Sequence, residues 1–353
     1  MQLSLERNEW LLERLDACVS HDAEYNRGLS DHLPMLLHAL HALGAAPARL
    51  TSYAAQYAAR LEPRRVVAIE IDDWRALRGN IDAYDSLAKY FAGRISAEGR
   101  DQVLRETLPP LMPGVAAGAF HGLIRCGHAL SAQHDGELAN GLAYWVSAWL
   151  PLLPGDTVEG REPLPAPTID LTNWVRSAHD LHTTLDTEPP RITLRMKAWS
   201  AAPQFPTLAS ALRCDENTLD AMARFAAALY AQTGNFTVMH MVTSAHALLT
   251  LRPWLGDVSL ATRWFGVALL AAIRAARLTP AQIEAGLALL RNVDAVAALP
   301  VQPWAALAAI VIDSDDDHAA KIVYSSRALF EMFGHPVLHA AATKGMLTQA
   351  RWS

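Results

Sequence analysis

The chain of 353 residues carries 30 basic and 36 acidic side chains, a net charge of −6, and is 51% apolar against 19% charged. With no basic cluster there is nothing to neutralise a phosphate backbone, so nucleic acid is a poor partner. Three scattered cysteines (Cys18, Cys126, Cys214) without a CxxC pair exclude a thiolate zinc site and suit a reducing, cytoplasmic compartment.

Along the chain, Met1 to Glu9 lacks the basic and apolar regions of an export signal. Apolar runs further on are broken by His, Arg, Asp or Pro, so no membrane span is expected. Leu33, Leu36, Leu37, Leu40 and Leu43 recur at helical spacing after Ser30-Asp31, with Pro34 in the first turn and Gly44 at the end. Gly114, Gly118 and Gly122 are spaced for close helix packing. Prolines 151, 154, 163, 165 and 167 exclude a continuous helix and predict a long internal connection over 151–167. Arg191 to Met196 reads as a lone extended piece. Asn217 starts a helix through Met222, Phe225 and Leu229 that stops at Gly234-Asn235. Thr279-Pro280-Ala281-Gln282 is a capping box with proline at N1, and the acidic run Asp313 to Asp317 suits a helix N-terminus. His-Ala pairs recur at irregular intervals, which excludes a fixed repeat. The expectation is an all-α fold: one large multi-helix domain over residues 1–353 with an internal metal or ligand pocket.

Fourteen histidines in such a chain need an account, because buried imidazole must find a partner. His21, His134, His179, His182, His335 and His339 lie among polar or loop-like residues and read as surface groups. His38 and His41 share a helix face and read as a partly exposed pair. His32, His121, His240, His246 and His318 instead stand within or against apolar helical segments, and neutral imidazoles from several helices can build one internal site for Fe, Zn, Cu or Ni. No HExxH, ExxH or i, i+4 histidine pair occurs among them, and His240 and His246 point about 120° apart on an ideal helix of roughly 3.6 residues per turn. Lys321 shares a face with Asp317 and His318. It is either an i, i+4 partner of Asp317 or a desolvated amine that takes up CO₂ and offers carbamate oxygen to a metal.

Five stretches together resemble the questin oxidase-like family. They are Asp31-His32-Leu33-Pro34 through Leu43-Gly44-Ala45, Phe120-His121-Gly122-Leu123-Ile124-Arg125, Glu137-Leu138-Ala139 through Ala143-Tyr144-Trp145, Phe236 through His246-Ala247-Leu248, and Asp316-Asp317-His318 through Lys321. Fungal members of that family open the ring of anthraquinone-type polyketides. The resemblance implies a helical oxygenase with a non-haem Fe(II) held by histidines and by a carboxylated lysine. Carried over by residue, this points to four of His32, His121, His240, His246 and His318 as ligands, and to Lys321 as the modified lysine.

The reaction this implies is oxidation or cleavage of an aromatic or quinone-type ring with O₂, four histidines and a carbamate leaving one octahedral position open. Baeyer–Villiger oxygen insertion and dioxygenase cleavage both fit. Arg125, four residues after His121, is placed to orient an anionic phenolate or carboxylate, or to satisfy a helix end. Phe120, Tyr144, Trp145, Trp149, Phe236 and Trp254 are candidate pocket walls. No dinucleotide fingerprint or P-loop is visible, so NADPH, if it supports the reaction, would act through a partner reductase or a non-standard site. The rival readings are a non-catalytic helical ligand-binding protein with the family fold, and a metal-dependent hydrolase. The latter sits poorly with the missing βα alternation.

Overall fold

The computed structural model describes residues 9–155, 162–182 and 189–348. Part of the proline-rich connection, 156–161, lies outside the described residues; from Pro163 to Pro167 the chain runs without helix, as its prolines require. In chain order the helices are α1 (Glu9–Cys18), α2 (Leu33–Ala42), α3 (Pro47–Ala58), α4 (Tyr84–Glu98), α5 (Arg100–Leu111), α6 (His121–Ser131), α7 (Asp135–Ser147), α8 (Leu171–Ser177) and α9 (Ile192–Ser200). Then follow α10 (Phe205–Ser210), α11 (Thr218–Thr233), α12 (Phe236–Leu251), α13 (Val258–Ala275), α14 (Pro280–Arg291), α15 (Val293–Ala297), α16 (Trp304–Asp313), α17 (Asp317–Phe333) and α18 (Pro336–Thr348). The fold is all-α. Among the described residues the strands are one antiparallel hairpin of β1 (Glu24–Tyr25) and β2 (Leu29–Ser30).

Local chemistry explains the helix ends. Leu33 donates its backbone N–H to Asp31 Oδ1 at 2.8 Å as α2 begins, with proline in its first turn. Thr279 and Gln282 close the reciprocal capping box of α14, and α11 ends at Gly234 with φ of 58°. Two expectations change. Arg191 to Met196 is not extended: α9 forms there because turning the segment helical buries Met196 and Trp199 and lets Arg195 Nε donate to Ala275 O at 3.1 Å in α13. Packing overrides a β-rich composition. The second is α13, which is long and apolar enough to cross a membrane, but 72% of that window is buried inside the protein.

Four helices position the site. α2 packs on α6 and α17, and α12 packs on α6 and α17 as well, so the four close a circuit. The contact of α6 with its neighbours is close because Gly122 has no side chain; a Cβ there would stand 2.7 Å from Trp145 Cα. The circuit lies on a seam between two apolar cores. One is built from α4 to α15, the other from α1 to α3 with α16 and part of α17. α17 feeds both, sending Ile322 and Leu329 one way and Ala320, Val323 and Tyr324 the other. Polar side chains are buried in that seam.

Candidate metal centre

Each helix of the circuit contributes one imidazole near its N-terminus. His32 precedes α2, His121 is the first residue of α6, His318 the second of α17, and His240 the fifth of α12. His121 is aimed by an unusual backbone: Gly118, Ala119 and Phe120 are consecutively left-handed, with φ of 55°, 56° and 72°. For a residue with a side chain that conformation costs about 1–2 kcal/mol, and such strain persists only where the surrounding structure holds it. Here it turns Gly118 O back toward the ring that follows. A second left-handed run, Asn26, Arg27 and Gly28, reverses the hairpin that covers the same region.

The four rings form a closed ring of contacts. His32 stacks on His121 with centroids 4.6 Å apart, His121 meets His240 at 5.1 Å, His240 meets His318 at 5.9 Å, and His318 meets His32 at 5.0 Å. Every Nδ1 is already committed to an oxygen. His32 Nδ1 lies 2.6 Å from Asp317 Oδ2, His318 Nδ1 2.9 Å from Asp317 Oδ1, His121 Nδ1 2.5 Å from Gly118 O, and His240 Nδ1 2.9 Å from Phe236 O. Carbonyl and carboxylate oxygens only accept, so each Nδ1 carries the proton and each Nε2 is left as a lone pair. His121 Nε2 and His318 Nε2 are buried with no hydrogen-bond partner among the described residues. Buried acceptors of this kind call for a water or an ion.

The electrostatics keep three of the rings neutral. Burial, reinforced by the Lys321 charge, lowers His32 to about 3, and burial with the neighbouring imidazoles holds His121 and His240 well below the usual histidine range. Burial opposes ionisation of Asp317, but His318 and His32 outweigh it and hold the carboxyl far below its ordinary value. Ligand atoms of His32, Asp317 and His318 lie within 4.8 Å of one another. Asp317 is nevertheless the orienting carboxylate, since both its oxygens face ring N–H groups. Four imidazoles whose Nδ1 atoms are all committed to oxygens fit a divalent transition ion.

Lys321, one turn after Asp317, is 2% exposed and forms no hydrogen bond or ion pair with the described residues. Burial lowers its amine to about 8, against the pull of Asp317. Four helix N-termini also converge here, and their partial positive charge disfavours a bare cation.

His246 stands apart. It packs its ring on Tyr324 at 5.4 Å in a second buried group with His38 and His128, whose Nδ1 atoms are 2.9 Å apart. His38 is therefore fully buried rather than part of an exposed pair. His134 is buried too and caps α7, accepting from Glu137 N at 2.9 Å. Arg125 is 2% exposed and grips Glu137 with Nε to Oε2 at 2.9 Å and Nη2 to Oε1 at 3.1 Å. It does not line the cavity at the histidines. Of the six candidate aromatic walls only Phe236 lines it; Tyr144 lies behind, its hydroxyl bonded to Glu24 and Ser30.

That cavity measures about 370 Å³ and is lined by all four histidines, Asp317, Phe236, the hairpin residues Glu24, Tyr25, Gly28, Leu29 and Ser30, and the basic side chains Arg60, Arg191 and Arg195. Sequence reading missed the hairpin and arginine walls, which come from three separated segments with no shared motif. A larger recess of about 590 Å³ near Asp170, Arg213 and His335 shares no lining residue with it and groups no metal-ligating atoms among the described residues.

An all-α protein with four tautomer-locked histidines around an internal cavity defines the class. The sequence profile of the family described as Questin oxidase-like matches residues 29–326. The chain belongs to the Questin oxidase-like family, which makes it an oxidoreductase of the oxidase type. No curated protein matches it.

Proposed function

We propose that this chain is a non-haem Fe(II)-dependent oxygenase that oxidises or cleaves an aromatic or quinone-type ring with O₂. The observation that carries the reading is the commitment of all four Nδ1 atoms of His32, His121, His240 and His318, which leaves four Nε2 lone pairs for one ion. Fe(II) held there would supply O₂ activation. His246 and Arg125, committed to other partners, take no part in this reading.

The chain's own groups have distinct tasks. Asp317 keeps the ring protons of His32 and His318 on Nδ1. Lys321, deprotonated in part near neutral pH, attacks CO₂ through its amine nitrogen; a C–N bond forms as one C=O π bond breaks and its pair moves to oxygen, the nitrogen loses one proton, and the resulting carbamate supplies the anion that the converging helix N-termini favour. Phe236 and the apolar walls exclude water, and the three arginines make the cavity receptive to an electron-rich ring. A dioxygenase cleavage places both oxygen atoms in product and needs no reductant. Oxygen insertion needs two electrons, which would come from NADPH through a partner reductase, since this chain carries no nucleotide motif.

Elemental analysis of the purified protein, with anomalous scattering at the iron edge, tests the centre. Near-stoichiometric iron at the four histidines is expected, together with O₂ uptake on adding hydroxylated quinones. A metal-free protein that still turns over such substrates, or zinc with hydrolytic activity and no O₂ uptake, would defeat the reading. The ratio of NADPH to O₂ consumed separates insertion from cleavage.

A further inference from the structure

Glu24 and Arg191 face each other across Gly28 in the cavity wall. A Cβ added at Gly28 would stand 2.2 Å from Arg191 Nη1 and 3.4 Å from Glu24 Oε2, so the glycine is what lets both approach. Its φ of 107° excludes other residues as well. The two charges do not close into an ion pair. Glu24 Oε1 accepts instead from the Tyr144 hydroxyl at 2.9 Å, which is itself 2.7 Å from Ser30 Oγ. Arg191 forms no hydrogen bond or ion pair with the described residues. Its neighbours differ: Arg195 is spent on the backbone oxygens of Pro190 and Ala275, and Arg60 lies over the Tyr57 ring at 4.2 Å.

The charge inventory selects the ligand. Three arginines line the cavity against two carboxylates, and Asp317 is consumed by two imidazoles. The helix N-termini that converge on the cavity add more positive potential. An anion is therefore favoured, and a guanidinium fork with free donors is matched by a carboxylate, which it binds bidentately. A bare acid would bring its negative charge against Glu24. A hydroxyl adjacent to the acid removes that conflict by donating to the Glu24 carboxylate.

We infer that Arg191 and Glu24 together recognise an aromatic ortho-hydroxy acid, the carboxylate lying on the Arg191 fork and the hydroxyl donating to Glu24. This rests on the cavity being the substrate site of the proposed oxygenase, and it narrows that substrate to a ring bearing an acid beside a phenol.

The test is fluorescence titration of the full-length protein with an ortho-hydroxynaphthoate, its methyl ester, and the naphthoate without the hydroxyl. The wild type should bind the hydroxy acid at least about tenfold more tightly than either analogue, a difference of about 1.4 kcal/mol. Arg191→Ala should abolish the preference for acid over ester while leaving ester affinity within about twofold, and Glu24→Gln should abolish the preference for the hydroxylated acid. If Arg191→Ala lowers the thermal midpoint, Arg191→Lys, which keeps the charge and loses the fork, should retain part of the acid preference. Equal affinity of the wild type for acid and ester, a parallel loss of both in Arg191→Ala, or no binding of any probe would overturn the inference. Iron content measured on the same samples reports on the histidine centre separately, so failure of the recognition pair and failure of the metal reading give different results.

Discussion

Asp317→Asn changes one atom in a side chain of nearly constant shape and attacks the feature on which the centre depends. The carboxylate accepts from His32 Nδ1 at 2.6 Å and faces His318 Nδ1 at 2.9 Å. An amide can accept only one of these and presents N–H to the other ring. That ring must move its proton to Nε2, which removes one of the four lone pairs, or leave two donors facing each other in a buried site. Loss of an orienting partner of this kind lowers metal affinity by about 10–100-fold. Removing the negative charge also lets the Lys321 amine fall further below about 8, since Asp317 is the largest influence holding it up. The lysine thus stays competent for CO₂, and the deficit belongs to the histidines. Competition titration of Fe(II), or of Co(II) followed by visible absorption, against a chelator measures the change. His246→Gln is the control, because that ring packs on Tyr324 away from the four, and it should bind metal like the wild type. Asp317→Asn within twofold of the wild type would refute the tautomer argument, and so would an equal loss in His246→Gln.

Lys321→Ala should lower iron occupancy, Lys321→Glu should restore part of it, and added bicarbonate should help only the parent protein; full occupancy in Lys321→Ala, read by elemental analysis, would remove Lys321 from the centre. Arg125→Ala strands the buried Glu137 carboxylate and should destabilise the fold by about 3–5 kcal/mol in urea unfolding; a loss under about 1 kcal/mol would mean that Arg125 is not structural. Burial lowers His246 to about 4, so between pH 6.5 and 4 the unfolded chain binds a proton that the fold does not, and stability falls as pH drops through that window by roughly 3 kcal/mol for this residue alone. His246→Gln should flatten the dependence of the metal-free protein's urea midpoint on pH there, and an unchanged slope would contradict the assignment.

What was legible in the sequence follows the range of the interactions involved. The leucine stripe of α2 and the capping box at Thr279 are set by residues within a turn or two of one another, and both appear in the structure; of the three spaced glycines only Gly122 lies on an α-helix, Gly114 and Gly118 falling in the turns before α6. Arg191 to Met196 was misread because β-branched composition says nothing of the α13 surface that makes helix the better arrangement there. The hairpin over the cavity escaped notice for a related reason. Its strands are two residues long, too short for alternation to register.

At the site, histidines embedded in apolar helical segments were a sound signal, since a polar ring is buried there only with a partner. Helical geometry also carried the division between His240 and His246: six residues apart, they look toward different groups, one to the cavity and the other to His38, His128 and Tyr324. Arg125 shows where spacing stops helping. Its position one turn after His121 suggested a shared task, but its partner Glu137 comes from the next helix, and a buried bidentate pair commits Nε and Nη2 of the guanidinium. The same distance in sequence hid the orienting role of Asp317, which reads as one more acid in a helix-capping run until α2 brings His32 against it from 285 residues away. Asp316 caps α17 through the backbone N–H groups of His318 and Ala319, and that frees Asp317 to face inward. The acidic run therefore divides its labour by one residue of register, the first carboxylate stabilising the helix and the second fixing the protons of the site that the helix delivers.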